Sequence, residues 1–572
     1  MNDRNIFDAL RDIDPQWILD AAPQKRVSRA HVWIKWGAVA ACLCLVVAAA
    51  VGAVFWLLPS DDPIPPEVTL PHVHAFGAWQ TTKDATCSAQ GEETRLCTCG
   101  EREIRFTAIL PHFAGEWVVE KEPTIKLPTP EDPNQREPGI KAQFCEHCGA
   151  KLDEELIPAT GSLGLAYAIN PDGKTFSVAG IGNCTDEEII IPENFCGYHV
   201  TGIIKDAFYF CRTMKSVTLP QTVTTIGEGA FKSCLELESI TLPQTLTSIG
   251  AKAFQSCSAL TAIEIPATVT SIGAGAFDGC SFLKQVVVPN GVTRIENSTF
   301  SNCIRLESIT LPQGLEYIGN SAFYYCTKLN SVEIPSGVTS IGEYAFYRCY
   351  NLASIALPQG IKVIEAGLFY ACSKLTSINI PQGVTRIEGN SFGECNSLVS
   401  ISIPSSVTTI EMWAFAKCNQ LETVILEEGV ERIERGAFAN CKNLCNFMIP
   451  ESVQYIDDSV FSNCNSLIQV ENGVSYVDKW AVGFDNEHKE VVLRKDTVGI
   501  AGQVFYTAYN VEQITLSNSL KYIGSLSFSA ADSLKTVIFN GTQEEWEAIK
   551  KESNWKHPSD VFDIIFMGDT EE

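Results

Sequence analysis

Leu237 to Cys257 reads L-E-S-I-T-L-P-Q-T-L-T-S-I-G-A-K-A-F-Q-S-C. Leu237, Ile240 and Leu242 are apolar, and Ser239 and Thr241 alternate with the last two. That alternation predicts a short strand with one buried face. Pro243 has no N–H to donate and ends the ladder. Leu246 and Ile249 supply a second apolar beat, and Gly250 permits a turn there. Ala253, Phe254 and Cys257 then fill the interior. No segment is long enough for an ordinary helix.

The stretch is one copy of many. Cysteine recurs every 23 residues at Cys211, Cys234, Cys257, Cys280, Cys303, Cys326, Cys349, Cys372, Cys395, Cys418, Cys441 and Cys464. A phenylalanine precedes each by three, from Phe208 to Phe461. A fixed period in this range predicts a mostly β solenoid, in which stacked coils share one core. Degenerate coils at the ends bring the count to about 14 or 15, a rod or arc of roughly 70 Å at the spacing of parallel strands. Phe505 and Phe528 keep the spacing, but Ala508 and Ala531 replace the cysteine, after an insert over 472–496 that reads as irregular. Thr542-Gln-Glu-Glu545 is a capping box that opens a short helix, so 542–572 reads as the C-terminal cap. The opening cap is expected over 163–192, at the start of a solenoid spanning 161–541.

Stacked cysteines would have Cα atoms about 4.8 Å apart, but their Cβ vectors run parallel, which does not suit a disulfide. They read as buried free thiols serving as small apolar residues. The two alanines in this column suggest that only size is required.

The pattern L-x-x-I-x-I/L-P-x-x-V-x-x-I-G-x-x-A-F-x-x-C resembles the BspA-like class (leucine-rich repeat 5 type) of bacterial leucine-rich repeats, over about residues 160–567. Glu427 replaces the proline in one unit and Ser517 in another. The resemblance implies a curved right-handed leucine-rich-repeat solenoid on a bacterial cell surface, with roles in adhesion. A ligand does not carry over with a fold.

Residues 37–58 are 22 uncharged, mostly apolar positions, long enough to span a bilayer as one transmembrane helix. Lys25, Arg26, Arg29 and Lys35 precede them, and Asp61, Asp62 and Glu67 follow. The positive-inside rule puts the N-terminus in the cytoplasm and the repeats outside. A cleaved signal peptide with a site near Ala48-Ala49-Ala50 is the rival; the 36-residue polar lead argues against it. Within that lead, 1–36, apolar residues at Ile6, Phe7, Leu10 and Ile13 suit a short amphipathic helix. Residues 59–71 form a proline-rich linker.

The net charge is −26, and the part after the span holds 36 basic against 63 acidic residues. That balance excludes general binding of nucleic acid or anionic lipid by the outer part.

Residues 72–160 hold two small, zinc-ribbon-like modules. One opens His74-Ala-Phe-Gly-Ala-Trp79 and carries Cys87, Cys97 and Cys99; the other opens His112-Phe-Ala-Gly-Glu-Trp117 and carries Cys145 and Cys148. The C-x-x-C-G turn has the shape of a zinc knuckle. Candidate ligands for a structural zinc are Cys97, Cys99, Cys145 and Cys148, with Cys87, His74 and His112 in reserve. A disulfide and unligated thiols are the other readings. Residues 123–138 interrupt the second module and read as a flexible loop. No cofactor is required elsewhere, and no catalytic zinc motif occurs.

The outward column of the first strand is bland: Ser216, Ser239, Ala262, Gln285, Ser308, Ser331. Interface hot spots favour Trp, Tyr and Arg. These concentrate in one place, where the position after the repeat phenylalanine holds Tyr324, Tyr347 and Tyr370, with Tyr325, Arg348 and Tyr350 beside them. The column is expected to face solvent. It reads either as a ligand-gripping stripe or as tyrosines that stabilise the ladder. Only His199, His488 and His557 lie among the coils and cap, and no nucleophile triad or phosphate loop stands out. The sequence therefore points to a non-enzymatic, membrane-anchored surface protein that recognises a protein or glycan. The alternatives are a single-pass sensor signalling through the cytoplasmic lead, or a structural surface spacer.

Overall fold

The computed structural model describes residues 74–126 and 136–568. The expected lead, span and linker (1–36, 37–58 and 59–71) lie outside the described residues. No helix among the described residues is long and apolar enough to cross a membrane.

The chain divides into two compact units, 1–83 with 92–106, and 84–91 with 107–572. The described part of the first is a small sheet built on Gln80–Lys83, Gly91–Leu96 and Arg102–Thr107. Its centre combines rings with ion-paired arginines, Arg95 meeting Glu103 and Arg105 meeting Glu93. The Arg95 guanidinium lies 4.7 Å from the Phe76 ring and 4.6 Å from Trp79, and Arg105 lies 4.3 Å from Trp79.

The second unit contains about 17 stacked turns spaced by about 23 residues. The sequence count falls short because the end coils keep the backbone path without the Phe/Cys signature. Most coils carry two short parallel strands. Ser216–Thr218 pairs with Ser239–Thr241, and Thr225–Ile226 pairs with Ser248–Ile249, each residue meeting its equivalent 23 positions on. The third side of the coil is a run of turns that also bonds along the stack: Phe231 N–H donates to Ala253 O at 2.7 Å and Ser233 N–H to Gln255 O at 2.7 Å. The turn is not made by Gly250. Its left-handed residues are Lys252 (φ 56°) and Ser256 (φ 60°), and equivalent positions recur coil after coil.

The core follows from the repeat. Leu237, Leu246, Ala253, Phe254, Cys257 and Leu260 are fully enclosed. The phenylalanines form one continuous stack, with rings 5.1 Å apart and 4° from parallel at Phe208–Phe231, and 5.2 Å and 1° at Phe415–Phe438. No coil could bury these faces alone, which is why the array is cooperative.

Both ends are closed by departures from the repeat. At the start, Ala166–Ile169 runs antiparallel to Phe176–Gly180, and Glu188–Ile190 pairs with Ser216–Thr218. The 123–138 segment is not simply a loop. Thr124–Ile125 pairs with Arg136–Glu137, and Ile125 also pairs in parallel with Phe195 of the opening coil. Ile125 is buried there, so apolar burial anchors a stretch whose prolines suggested mobility.

The 472–496 insert is regular. Gln469–Glu471, Val474–Val477 and Trp480–Phe484 form an antiparallel meander, and Trp480–Phe484 rejoins the parallel ladder beside Gly499–Ile500. Asn472 (φ 51°) and Gly473 (φ 76°) make its first turn, a two-residue Asn-Gly hairpin. At the C-terminus, the Thr542 side chain accepts from Glu545 N–H and the Glu545 carboxylate accepts from Thr542 N–H, which caps the helix Gln543–Ala548. Its Trp546 is buried against Phe539, ring centroids 5.5 Å apart. Asp563–Phe566 adds the last parallel strand.

Candidate functional site

The tyrosine column stacks. Tyr324 and Tyr347 rings lie 4.9 Å apart at 9°, and Tyr347 and Tyr370 lie 4.8 Å apart at 11°. Because they cover one another, all three are half-buried rather than open to solvent. Burial, then the neighbouring tyrosines, pushes the Tyr347 hydroxyl up to about 12. Arg348 sits over Tyr325 at 5.0 Å and Tyr347 at 5.4 Å, so the guanidinium and rings form one surface. Tyr350 is exposed beside it.

Two further aromatic residues join this face. Tyr344 packs edge-on to Tyr347, with centroids 5.8 Å apart. Trp413 stands on the far side of a cleft of about 250 Å³ whose other wall is Tyr370. The cleft exists because the tyrosine column gives way to Gly393 and then Ala416. Asn390, Glu394 and Lys417 supply its polar lining, and Lys417 Nζ donates to Glu394 at 2.8 Å. The carboxyl of Glu394 would be raised by burial, but hydrogen bonds from Lys417 and Tyr370 hold it below its ordinary value.

The backbone under this face is the same left-handed turn that recurs along the stack. Tyr344 (φ 57°), Tyr325 (φ 59°), Arg348 (φ 58°) and Trp413 (φ 59°) all adopt the left-handed conformation. Other coils place Ser298, Ser321, Asn390, Gly436 or Asn302 at these positions. A left-handed residue with a Cβ costs roughly 1–2 kcal/mol relative to the right-handed form, and glycine or asparagine lowers that cost. Phe210, Lys252, Glu394 and Lys417 also occupy these columns, so the signal in the sequence is the aromatic character of Tyr325, Tyr344 and Trp413 rather than bulk. By contrast, the larger groove of about 650 Å³ between Ser331 and Asn379 has no aromatic or arginine lining.

The cysteine and histidine candidates sort into two groups. Cys145 and Cys148 lie together with Cys87 and His112, their ligand atoms all within 4.8 Å of one another. Cys97 and Cys99 form a separate group with His74, whose Nδ1 is 3.1 Å from Cys99 Sγ. The spacing of the modules had set Cys97 and Cys99 beside Cys145 and Cys148 and held Cys87 in reserve. Both knuckles are closed by their glycines: Gly149 N–H donates to Cys145 O at 2.9 Å and Gly100 N–H to Cys97 O at 2.8 Å, with φ of 70° and 94°. Burial would raise the Cys145 thiol, but hydrogen bonds from His112 and from the backbone of His147, Cys148 and Phe113 bring it down to about 5.

The repeat cysteines behave oppositely. From Cys234 to Cys464 they are fully buried, and each thiol donates to the carbonyl of the phenylalanine one coil back, Cys257 to Phe231 at 3.0 Å and Cys326 to Phe300 at 3.2 Å. More than size is therefore at work in this column. Burial pushes Cys280, Cys303, Cys326 and Cys372 well above the ordinary thiol range and Cys395 up to about 12, which keeps them protonated and inert. Among the described histidines, His488 meets only the nearby Asp485 at 3.3 Å, and His557 meets Ser559 at 2.6 Å. Neither joins a nucleophile to a base in a cleft.

The chain matches the family model for the BspA type leucine rich repeat region over residues 182–307, 293–418, 362–482 and 466–552. Among solved structures it is similar to a leucine-rich cell surface protein from Faecalibacterium prausnitzii A2-165, at 26% identity over 69% of this chain and 98% of that one, with a TM-score of 0.42. It is similar to a leucine-rich repeat protein from Bacteroides ovatus at 24% identity, over 70% and 98% of the two chains, with a TM-score of 0.47. A third is the pneumococcal vaccine antigen PcpA, at 20% identity over 71% and 98%, with a TM-score of 0.33. No curated protein matches the chain. With its 23-residue coils, buried Phe/Cys ladder and matched repeats, the chain belongs to the BspA-type leucine-rich repeat family.

Proposed function

We propose that this protein is a bacterial surface recognition protein, anchored in the membrane through residues 37–58, whose solenoid binds a protein or glycan ligand on its aromatic face. The observation that carries the reading is the concentration of aromatic and arginine side chains on one face: the Tyr324–Tyr347–Tyr370 stack with Tyr325, Tyr344, Arg348 and Trp413 around it. The face offers stacking rings, a guanidinium, and a cleft between Tyr370 and Trp413 with amide, acid and amine groups at its base. Rings with flanking polar groups suit the apolar face and hydroxyls of a sugar, or an extended peptide bearing aromatic and acidic side chains. The anchor reading rests on the uncharged run and the basic flank before it.

The test is binding of the full chain in nanodiscs to an array of matrix proteins, mucins and glycans, beside a Tyr347→Ser/Trp413→Ser variant. Saturable binding that the double variant loses at unchanged melting temperature supports the reading. Binding that survives both changes, or silence across the array, sinks it.

A further inference from the structure

Three chain segments converge beside the second small sheet, and none is adjacent to the others in sequence. The Cys145–Cys148 knuckle follows the strand Gly139–Cys145, and Cys145 N–H donates to Ala150 O at 2.8 Å to square the turn. Glu146 N–H donates to Phe113 O at 3.0 Å, which brings His112 alongside. Leu110 N–H donates to Thr86 O at 3.1 Å, which brings the Cys87 turn to the same point. The result is a buried pair, Cys87 and Cys145, with Sγ atoms 3.8 Å apart, and His112 Nδ1 3.4 Å from Cys148 Sγ.

These separations have a chemical meaning. In a tetrahedron with metal–sulfur bonds of about 2.3 Å the sulfur–sulfur edge is about 3.8 Å, and a sulfur–nitrogen edge is a few tenths shorter. A Cys₃His set is a closed shell for a borderline-soft divalent ion, with no open position for water. We propose that Cys87, His112, Cys145 and Cys148 bind one structural zinc ion. Three thiols give up their protons on binding and His112 binds through Nδ1 as neutral imidazole. The ion ties three segments of a small, highly exposed sheet that has almost no apolar core: Ala114–Lys121 has no buried residue. It also explains the uneven modules. The cysteine with no counterpart in the second module's sequence, Cys87, completes the second module's site.

The experiment uses the full chain, produced with zinc in the medium and purified without chelator, with metal measured by mass spectrometry. Cys87→Ser and Cys148→Ser should each lose one zinc per chain relative to the unchanged protein, and Cys99→Ser should keep that equivalent. As a check independent of variant folding, alkylation mapped on the unchanged protein should spare Cys145 and Cys148 until chelator is added. Unchanged zinc in Cys87→Ser, alkylation of both thiols before chelation, or a Cys87–Cys145 disulfide in non-reduced peptides would each overturn the proposal.

Discussion

The Cys326 thiol donates to the Phe300 carbonyl of the coil before it at 3.2 Å. The same carbonyl accepts from Cys303 N–H at 3.3 Å, so each thiol stitches its coil to an acceptor already held in its own turn. Replacing Cys326 with alanine removes a buried sulfur and a hydrogen bond. The expected cost is about 1–3 kcal/mol. Chemical denaturation should show it, and in the native state the repeat thiols should resist alkylation that unfolding releases.

The phenylalanine stack should be far less tolerant. Phe323 is fully enclosed between Phe300 and Phe346. Phe323→Ala should cost about 3–5 kcal/mol. Because each coil touches only its neighbours, hydrogen exchange should rise first in the coils on either side of Phe323 and leave the terminal coils protected.

One pH effect has a defined sign. Burial, then the adjacent Glu388, raises the Glu365 carboxyl to about 7. The folded state therefore binds this proton more tightly than the unfolded chain does. Stability falls as pH rises from the ordinary carboxylate range through about 7. Glu365→Gln should melt higher than the unchanged protein at pH 8, with the gap closing as the solution is acidified toward the unfolded carboxylate range. An equal gap at all pH values would contradict the assignment.

The aromatic face should trade stability against binding. Tyr344→Asn relieves a left-handed tyrosine but gives up its edge contact with Tyr347. The two terms are of similar size, about 1 kcal/mol each, so the melting temperature should stay within a few degrees. Ligand affinity measured on the same preparation should fall severalfold.

At the C-terminus, Thr542→Ala should cost about 1 kcal/mol by leaving the Glu545 N–H without its acceptor. Thermal melts of the paired variants Thr542→Ala and Thr542→Ser measure it, and serine should retain most of the stability.

Much of this was legible in the sequence because the solenoid is written once and copied. The 23-residue beat gave the strand pairs, the Phe stack and the buried thiols together, since each column is one environment repeated. Where the copying lapses, reading failed for identifiable reasons. Asn472-Gly473 is a hairpin signal that an absent Phe/Cys signature concealed. Ile125 sits among prolines, yet it pairs with a strand 70 residues later. Cys87 was grouped by nearness in sequence, whereas backbone bonds carry it to His112 and Cys145. Trp413 lies outside the column that follows the repeat phenylalanine, and only the folded coil brings it to the same cleft as Tyr370.

The rungs between coils are not of equal length. Thr261 N–H to Glu238 O and Thr376 N–H to Ala353 O are both 3.4 Å, and no strand is formed around Ile263 or Ile378. Hydrogen bonds that join coils lie along the direction of stacking, so a pull in that direction loads them in series, and a series of links parts at its weakest member. The coils of Ile263 and Ile378, which lack the first strand pair, share such a load over fewer ladder bonds than their neighbours.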